Sequence, residues 1–198
     1  MNDSVISWLF PIQKDHLVRV AHWIPSYRLG SLRVMETDGK ENRMLTELIV
    51  QLALRGHYNL IAVDEWLPDR DTLYRSVRRH TLNIEETLAN PSIKRPMTCL
   101  QLLDLLMEAD MQNKPTLILN FLYHFYNNDV ELSLRDRVLL KCCNYAKRLS
   151  LCNPVVVLVR RLHSEEYERF FPVLANTADE IIPAAEQSPM EAVQGSLF

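Results

Sequence analysis

The sequence predicts an α/β fold, a doubly wound and mostly parallel sheet covered by helices on both faces. Short apolar runs alternate repeatedly with amphipathic segments of helical period. The runs are continuously apolar, which is typical of parallel strands buried on both sides. With 198 residues and 47% hydrophobic content, the chain is long enough for one domain around a single core.

The first half of the chain contains two strand and helix units. A strand is expected over Ser31 to Thr37, and the helical pattern RMLTELIVQLALRG follows it. Gly56 stands where a helix C-cap belongs. The next apolar run, NLIAVDEW, predicts a second strand, and Pro68 introduces an amphipathic helix through Leu73 and Val77.

The second half continues the alternation after a proline-punctuated stretch, PSIKRPMT. The expected elements are the helix CLQLLDLLMEAD, the strand PTLILNFLYHF, the helix SLRDRVLLKCCNYAKRL, the strand PVVVLVRRL and a weaker strand DEIIPAA. Parallel strands joined through helices give a sheet with a layer of helices on each face.

The sequence divides into three segments. Residues 1–29 are expected to pack on the core through SWLFPI (Ser7 to Ile12), although these apolar side chains beside a proline could instead dock a partner. Residues 30–183 form the α/β core. Residues 184–198 hold Pro189 and Gly195 but no periodic pattern, which predicts a disordered tail.

The formal net charge of -3 gives no global attraction to nucleic acid or to an anionic membrane. No apolar run approaches the roughly 20 residues of a membrane helix, and the beginning of the sequence does not resemble a signal peptide, so a cytoplasmic protein is expected. The four cysteines lack C-x-x-C spacing and are expected to be buried free thiols: Cys99, Cys142, Cys143 and Cys152.

Three stretches, in order and spacing, carry a resemblance to a known family. They are LGSLRVMETDGKEN, AVDEWLPDRDTLYRSV and TLILNFLYHF. From about Trp23 to Ile182 the chain resembles the core of RecA-like ATPases, the recombinases and their KaiC-like relatives. The resemblance implies a RecA-like P-loop core in which these stretches are the phosphate loop, a second strand ending in an acid, and the metal-binding strand.

The phosphate loop implied by this resemblance is degenerate. Gly39 and Lys40 are present, but Glu41 replaces the hydroxyl that would bind magnesium, and Val34 holds the position of the first glycine. A carboxylate at Glu41 would repel the phosphates. The simpler interpretation of DGKEN is a tight turn in which Asp38 caps the next helix.

Two further positions of the resemblance bear on hydrolysis. The metal-binding strand carries Asn120 instead of an acid, and an amide has no charge with which to hold the ion. Glu65 stands where the family keeps a water-activating glutamate, but it is equally an exposed strand-end acid. We therefore expect no ATP hydrolysis, no resident metal and no cofactor. Gly39 and Lys40 of the degenerate loop are the residues that would contact ATP if it were bound.

DNA contact is implied where RecA-like recombinases hold single strands, in the loops Leu122 to Glu131 and Arg160 to Arg169. Tyr123 and Tyr126 could stack on bases, and Arg160 and Arg161 could meet phosphates. Acidic residues interrupt both loops, so ordinary mixed-charge loops remain the alternative. The basic cluster RSVRRH is interpreted as solvated helix surface.

The tail sequence QGSLF resembles the peptide by which bacterial DNA polymerases and repair proteins bind the DNA sliding clamp. Gln194 would hydrogen-bond while Leu197 and Phe198 enter apolar pockets. Chance occurrence is the alternative for so short a pattern.

The sequence thus suggests a non-hydrolysing RecA-like accessory protein of DNA repair, recombination or translesion synthesis. It resembles the small RecA-related proteins encoded beside error-prone polymerases, and the expected partners are the clamp and a DNA polymerase or RecA-like recombinase. The alternative is a KaiC-type or RecA-type ATP-binding regulatory ATPase that uses Lys40 and Glu65 in an unusual site.

Overall fold

The structure, a computed structural model, describes residues 30–37, 42–63, 67–112, 114–126 and 130–183. The N-terminal segment 1–29 and the tail 184–198 lie outside these ranges, so the expectations for both stay predictions. The elements in chain order are β1 (Leu32–Thr37), α1 (Asn42–Arg55), β2 (Tyr58–Ala62), α2 (Arg70–Arg78), α3 (Ile84–Ala89), β3 (Pro91–Lys94), α4 (Cys99–Asp110), β4 (Thr116–Leu119), α5 (Leu132–Cys152), β5 (Val155–Arg160), α6 (Glu165–Ala175) and β6 (Glu180–Ile182).

The described strands form one six-stranded sheet in the order β3-β2-β4-β5-β1-β6. Every pairing between them is parallel, and Val157 of β5 lies opposite both Val34 of β1 and Ile118 of β4. The predicted α/β fold with a parallel sheet is confirmed.

Helices cover both faces of the sheet, as expected for a doubly wound arrangement. The sheet has one apolar core on each face, and successive side chains of β1 point into them alternately. Leu32 and Val34 pack with α4, α5 and α6, whereas Met35 packs with α1. We call these the α5 face and the α1 face. Leu73 of α2 also packs on the α1 face.

Local sequence explains where several helices begin and end. Side chains at the N-caps of α2, α4 and α6 accept hydrogen bonds from backbone N–H groups one turn later, and these caps are Asp69, Thr98 and Ser164. Gly56 follows α1 with a φ of 124°, a left-handed conformation that glycine adopts without steric cost. The predicted C-cap is confirmed.

Strand β4 is shorter than the predicted strand PTLILNFLYHF. It ends at Leu119, Asn120 has a φ of 53°, and a single 3-10 turn follows at Tyr123–Phe125. A left-handed residue interrupts a strand, and asparagine tolerates that conformation better than most residues. The run after Asn120 therefore forms a turn in which Phe121 and Phe125 are buried and Tyr123 is exposed.

Three elements were missed by the sequence analysis. The first two are helix α3 and the short strand β3. The proline that begins β3 argued against a strand, but β3 lies at the edge of the sheet, where proline is tolerated. The third is α6, whose acidic first turn resembles a solvated loop although Phe170 and Leu174 are buried.

The weak last strand is held by polar contacts. Asp179 accepts a hydrogen bond from the backbone N–H of Leu32 at 2.7 Å and pairs with Lys147 of α5. Lys147, followed by the Leu32 N–H group, holds the pKa of Asp179 below its ordinary value. The next residue, Glu180, forms a salt bridge with Arg33 of β1, in which the Glu180 Oε2 atom lies 2.8 Å from the Arg33 Nε atom.

Cys99, Cys142 and Cys143 are buried free thiols as predicted, and burial raises the pKa of each. Cys152, at the end of α5, is exposed, so the prediction of a buried thiol is wrong there. Among the described residues, every helix is too short or too polar to cross a membrane.

Candidate functional site at the carboxyl ends of the strands

The carboxyl ends of all six parallel strands lie at one edge of the sheet. Neighbouring parallel strands that lead to helices on opposite faces of a sheet leave a crevice between their loops. Neighbouring strands β1 and β5 lead to helices on opposite faces, α1 and α6, and the same holds for β2 and β4, which lead to α2 and α5. Open α/β sheets bind ligands in such crevices, which makes this edge the candidate site.

The predicted nucleotide residues follow strands that end at this edge. Gly39, Lys40 and Glu41 come after β1, and Glu65 comes after β2. All four lie outside the described residues, so their role in binding or hydrolysis stays a prediction.

Asn120 lies at the end of β4, where the sequence analysis placed the metal-binding position. It is buried, and its backbone carbonyl accepts a hydrogen bond from the Tyr123 N–H at 3.0 Å. The next residue, Phe121, donates its N–H to Leu158 of β5 at 3.2 Å. Asn120 is thus fixed at the beginning of the turn that follows β4, and it brings a neutral amide to this edge.

A buried carboxylate near the same edge was not identified from the sequence. Glu36 is 8% exposed and lies on the α5 face of β1, where the hydroxyl of Tyr167 donates a hydrogen bond to it. Burial, with the hydrogen bond to Glu36 and its negative charge adding to the effect, raises the pKa of Tyr167. The available signal was an acid within a strand whose other residues are all buried. Its partner lies 131 positions away.

Tyr126 faces inward. Its ring centroid lies 6.3 Å from that of Phe170 in α6, and burial, together with the nearby negative charge of Glu166, raises its pKa. Tyr123, in contrast, is 45% exposed and contacts the His124 ring edge to face. Of the two tyrosines predicted to stack on bases, only Tyr123 presents its ring at the surface.

The turn after β4 is held in place by Arg135 of α5. This buried side chain donates a hydrogen bond to the Phe125 carbonyl at 2.9 Å, and its guanidinium lies 5.8 Å from the centre of the Phe170 ring. The ring of His124 lies within hydrogen-bond distance of the Pro96 carbonyl, at 2.9 Å. These contacts hold the turn after β4 tightly against its neighbours at the carboxyl edge.

The two predicted phosphate contacts, Arg160 and Arg161, are exposed at the end of β5. The Arg161 N–H donates to the Thr37 carbonyl at 2.8 Å, which extends the pairing of β1 with β5 beyond the strands. Alternation along β5 places Arg160 on the α1 face, whereas Tyr126 packs on the α5 face. The structure therefore does not bring Arg160 and Tyr126 together.

The loop expected over Arg160 to Arg169 is also shorter than predicted, because Glu165–Arg169 begin α6. The basic cluster lies on and just after α2, with Arg78 and Arg79 exposed and Arg75 donating a hydrogen bond to the Asp71 carbonyl within the helix.

In the part of the chain that the structure describes, no three histidine, cysteine or acidic side chains meet in a group that could hold a metal ion.

The carboxyl edge therefore combines a packed interior with an exposed rim. Glu36 and Tyr167 hydrogen-bond to each other below the surface, while Tyr123, Arg160 and Arg161 offer one ring and two positive charges above it. Such a rim suits non-covalent binding of an anionic or aromatic partner. No protein-family model matches this sequence, and no curated protein is significantly similar to it.

Proposed function

We propose that this chain is a non-hydrolysing RecA-like accessory protein in DNA repair, recombination or translesion synthesis. In this proposal the α/β body binds a DNA polymerase or RecA-like recombinase, and the tail residues Gln194, Leu197 and Phe198 bind the sliding clamp. The observation that carries the absence of hydrolysis is Asn120, a buried neutral residue at the end of β4 where the resemblance calls for an acid.

The sheet supports the RecA-like part of the proposal through the placement of three strands. β1, β2 and β4 precede the residues that the resemblance assigns to the phosphate loop, the second acid and the metal position, and all three end at the same edge. A nucleotide site needs these groups to converge. Because the sheet is parallel, the ends of these three strands lie at one edge, as such convergence requires.

Electrostatics supports the loss of hydrolysis. A phosphate loop binds through converging N–H groups and a lysine, and Glu41 next to Lys40 adds a negative charge instead of a metal-binding hydroxyl. Repulsion between such a carboxylate and a phosphate is of order one to several kcal/mol at the effective dielectric of a protein. An amide at Asn120 does not compensate, because it provides no charge for a cation.

The chemistry of the tail supports clamp binding. An extended QGSLF segment can hydrogen-bond through the Gln194 amide while Leu197 and Phe198 enter neighbouring apolar pockets. Burial of these two side chains contributes about 3 to 6 kcal/mol before the cost of ordering the segment is subtracted. We expect a dissociation constant of about micromolar order, which suits a transient tether.

Binding of the full-length chain to purified bacterial sliding clamp tests this proposal. Deleting residues 194–198, or combining Leu197→Ala with Phe198→Ala, should abolish binding in a pull-down and in calorimetry. Ser196→Ala changes a variable position of the motif and serves as the matched control. Binding that is unchanged by the deletion would contradict the clamp proposal.

Direct DNA contact is a separable part of the proposal. Arg160→Ala combined with Arg161→Ala should weaken binding to single-stranded DNA and lower its salt dependence, because two phosphate contacts would be lost. Arg78→Ala with Arg79→Ala removes equal charge from α2 and is the control. Fluorescence anisotropy at several salt concentrations measures both, and equal effects of the two pairs would contradict a site at the carboxyl edge.

A further inference from the structure

The described helices cover the α1 face of the sheet unevenly. α4, α5 and α6 pack on the α5 face, which leaves α1, α2 and α3 as the described helices of the α1 face. α2 and α3 lie over β2 and β3, because the cavity beside them is lined by Tyr58 of β2 and Ile93 of β3. On the other side of α1, towards β1 and the edge strand β6, the described residues include no further helix on this face.

Gln51 of α1 lies on the flank of that helix that faces this uncovered area. Ile49 and Ala53 line the cavity next to α2, and Gln51 is two positions from each, so its side chain points about 160° away from theirs. Gln51 is nevertheless only 2% exposed. The described helices therefore do not account for its burial.

Two polar atoms on this flank of α1 are buried without a hydrogen bond. They are the Nε2 atom of Gln51 and the Oε2 atom of Glu47, one turn earlier, and neither has a partner among the described residues. Leaving such atoms unpaired is unfavourable. A polypeptide segment beside α1 would bring backbone carbonyl groups for the Gln51 amide and N–H groups for the Glu47 carboxylate.

A buried cation on β1 also indicates a cover over this area. Alternation along the strand places Arg33 on the α1 face together with Met35, and Arg33 is only 5% exposed. Its salt-bridge partner Glu180 belongs to the edge strand β6, and the Glu180 side chain is 47% exposed. A guanidinium so close to the edge of the sheet is buried only if chain or partner atoms lie above β1.

We propose that the chain's own N-terminal segment covers this area, with an amphipathic helix within residues 12–24 lying beside α1 and over β1 and β6. The segment reaches the sheet at Gly30, whose φ of 78° turns the chain just before β1 and whose N–H donates to the Ser150 carbonyl of α5 at 2.8 Å. Because α4, α5 and α6 already cover the other face of β1, the space next to Gly30 is on the α1 face. This inference does not depend on the proposed function.

The sequence of the segment suits this position. No proline or glycine lies between Pro11 and Pro25, and a helix over this stretch would be about 20 Å long, close to the length of α1. Arg19 and His22 fall on the side opposite to its apolar stripe, so they would face solvent. The stripe has the spacing i, i+3, i+4 and i+7 and consists of Leu17, Val20, Ala21 and Ile24.

The tail 184–198 fits the same area less well. It leaves β6 at the carboxyl edge, whereas Gln51 lies in the second half of α1, which runs from that edge to the opposite one. Pro189 and Gly195 also divide the tail into short stretches that do not favour a helix. The N-terminal segment is therefore the better occupant.

Thiol labelling of the full-length chain tests this proposal. Gln51→Cys places a thiol on the flank, and native cysteines are references in the same molecule, since Cys152 is exposed whereas Cys142 and Cys143 are buried. After treatment with a maleimide, mass spectrometry measures the labelling of each site. The thiol at position 51 should react at least about tenfold more slowly than Cys152, because labelling requires local opening.

Substitutions on two sides of the proposed helix give the decisive comparison. Added to Gln51→Cys, Val20→Glu puts a charge on the apolar stripe and should accelerate labelling at position 51 at least about tenfold. His22→Glu adds the same charge on the opposite side and should leave the slow labelling unchanged. Continued protection of Cys142 and Cys143 shows that the fold is retained. If Val20→Glu exposes them, the milder Val20→Ser replaces it and should accelerate labelling in the same direction.

Four outcomes would overturn the proposal. Labelling at position 51 as fast as at the exposed reference thiol would show that the flank is uncovered. Equal effects of the Val20 and His22 substitutions, or none, would show that the apolar stripe does not form the cover. Protection that is lost in Leu197→Glu with Phe198→Glu would assign the cover to the tail. Protection that is lost on dilution would assign it to a second copy of the chain.

Discussion

The two faces of the sheet differ in how tightly they are packed. On the α5 face, the rings of Phe121 and Phe170 each lie 6.2 Å from that of Phe125, and the buried Arg135 ties the same cluster to the turn after β4. On the α1 face, a cavity of about 470 Å³ opens between α1, α2, α3 and the strands β2 and β3. Among the described residues, the α5 face is thus the more tightly packed of the two faces.

Helix length explains much of this difference. The α5 face is covered by α5 with 21 residues, α4 with 12 and α6 with 11. The α1 face has α1 with 14 residues, but α2 has only 9 and α3 only 6. Short helices bury less apolar surface and leave gaps between their ends. We infer that most of the stability of the described residues resides on the α5 face, and two pairs of substitutions, each with one change on each face, test that inference.

Phe170→Ala should have the largest effect. Phe170 is fully buried and contacts the rings of Phe125 and Tyr126, so we expect a loss of about 3 to 5 kcal/mol in the free energy of unfolding. Leu73→Ala, on the α1 face, removes a half-buried side chain that borders the cavity, and its cost should stay below about 2 kcal/mol. Urea denaturation measures both. Equal losses would contradict the difference between the faces.

Enlarging an alanine on each face should give a smaller effect, again with the larger loss of stability on the α5 face. Ala146 of α5 is fully buried, and Ala146→Leu should destabilise the fold by about 1 to 3 kcal/mol through overpacking. Ala53 of α1 borders the cavity, so Ala53→Leu can place its added atoms in existing space and should change stability by less than about 0.5 kcal/mol or increase it. The same denaturation assay compares them, and a larger loss at Ala53 would refute the cavity as available space.

A further prediction for the α5 face concerns the stability contribution of Tyr167 at alkaline pH. Because the folded pKa of Tyr167 lies above the ordinary value of 10.0, the unfolded chain loses this proton first as pH rises. The stability contribution is full below pH 10 and decreases above it, by at most about 1.4 kcal/mol per pH unit. At neutral pH, Tyr167→Phe should cost about 1 to 3 kcal/mol, since the buried Glu36 loses one donor.

The stability difference between wild type and Tyr167→Phe should therefore shrink as the pH rises from about 10 to about 11.5. Thermal melts across this range measure it. A difference that stays constant would show that Tyr167 does not titrate differently in the folded and unfolded states.

Sequence periodicity was sufficient for the elements with an unambiguous apolar pattern. The valines of β5 and the long apolar stripe of α5 predicted a buried strand and its covering helix, and both were found. Periodicity was insufficient where packing determined the outcome. β3 is a strand because it pairs with β2, although Pro91 and Lys94 weaken its local pattern, and β4 ends early because Asn120 turns the chain.

The candidate site was less predictable than the fold. Position at the ends of strands could be inferred for Asn120, Arg160 and Tyr123, since parallel strands end at one edge. The inward orientation of Tyr126 and the pairing of Glu36 with Tyr167 could not, because both depend on α6, which is distant in sequence and lacks an obvious helical signal.

Steady-state phosphate release from Mg-ATP tests the central claim, that this chain binds partners without hydrolysing ATP. Purified full-length chain and Lys40→Ala should both release no more phosphate than a protein-free control, with or without single-stranded DNA. Glu65→Gln serves as a second variant, because this position is the implied water-activating base. Phosphate release by the wild type that is lost in Lys40→Ala and in Glu65→Gln would contradict the account.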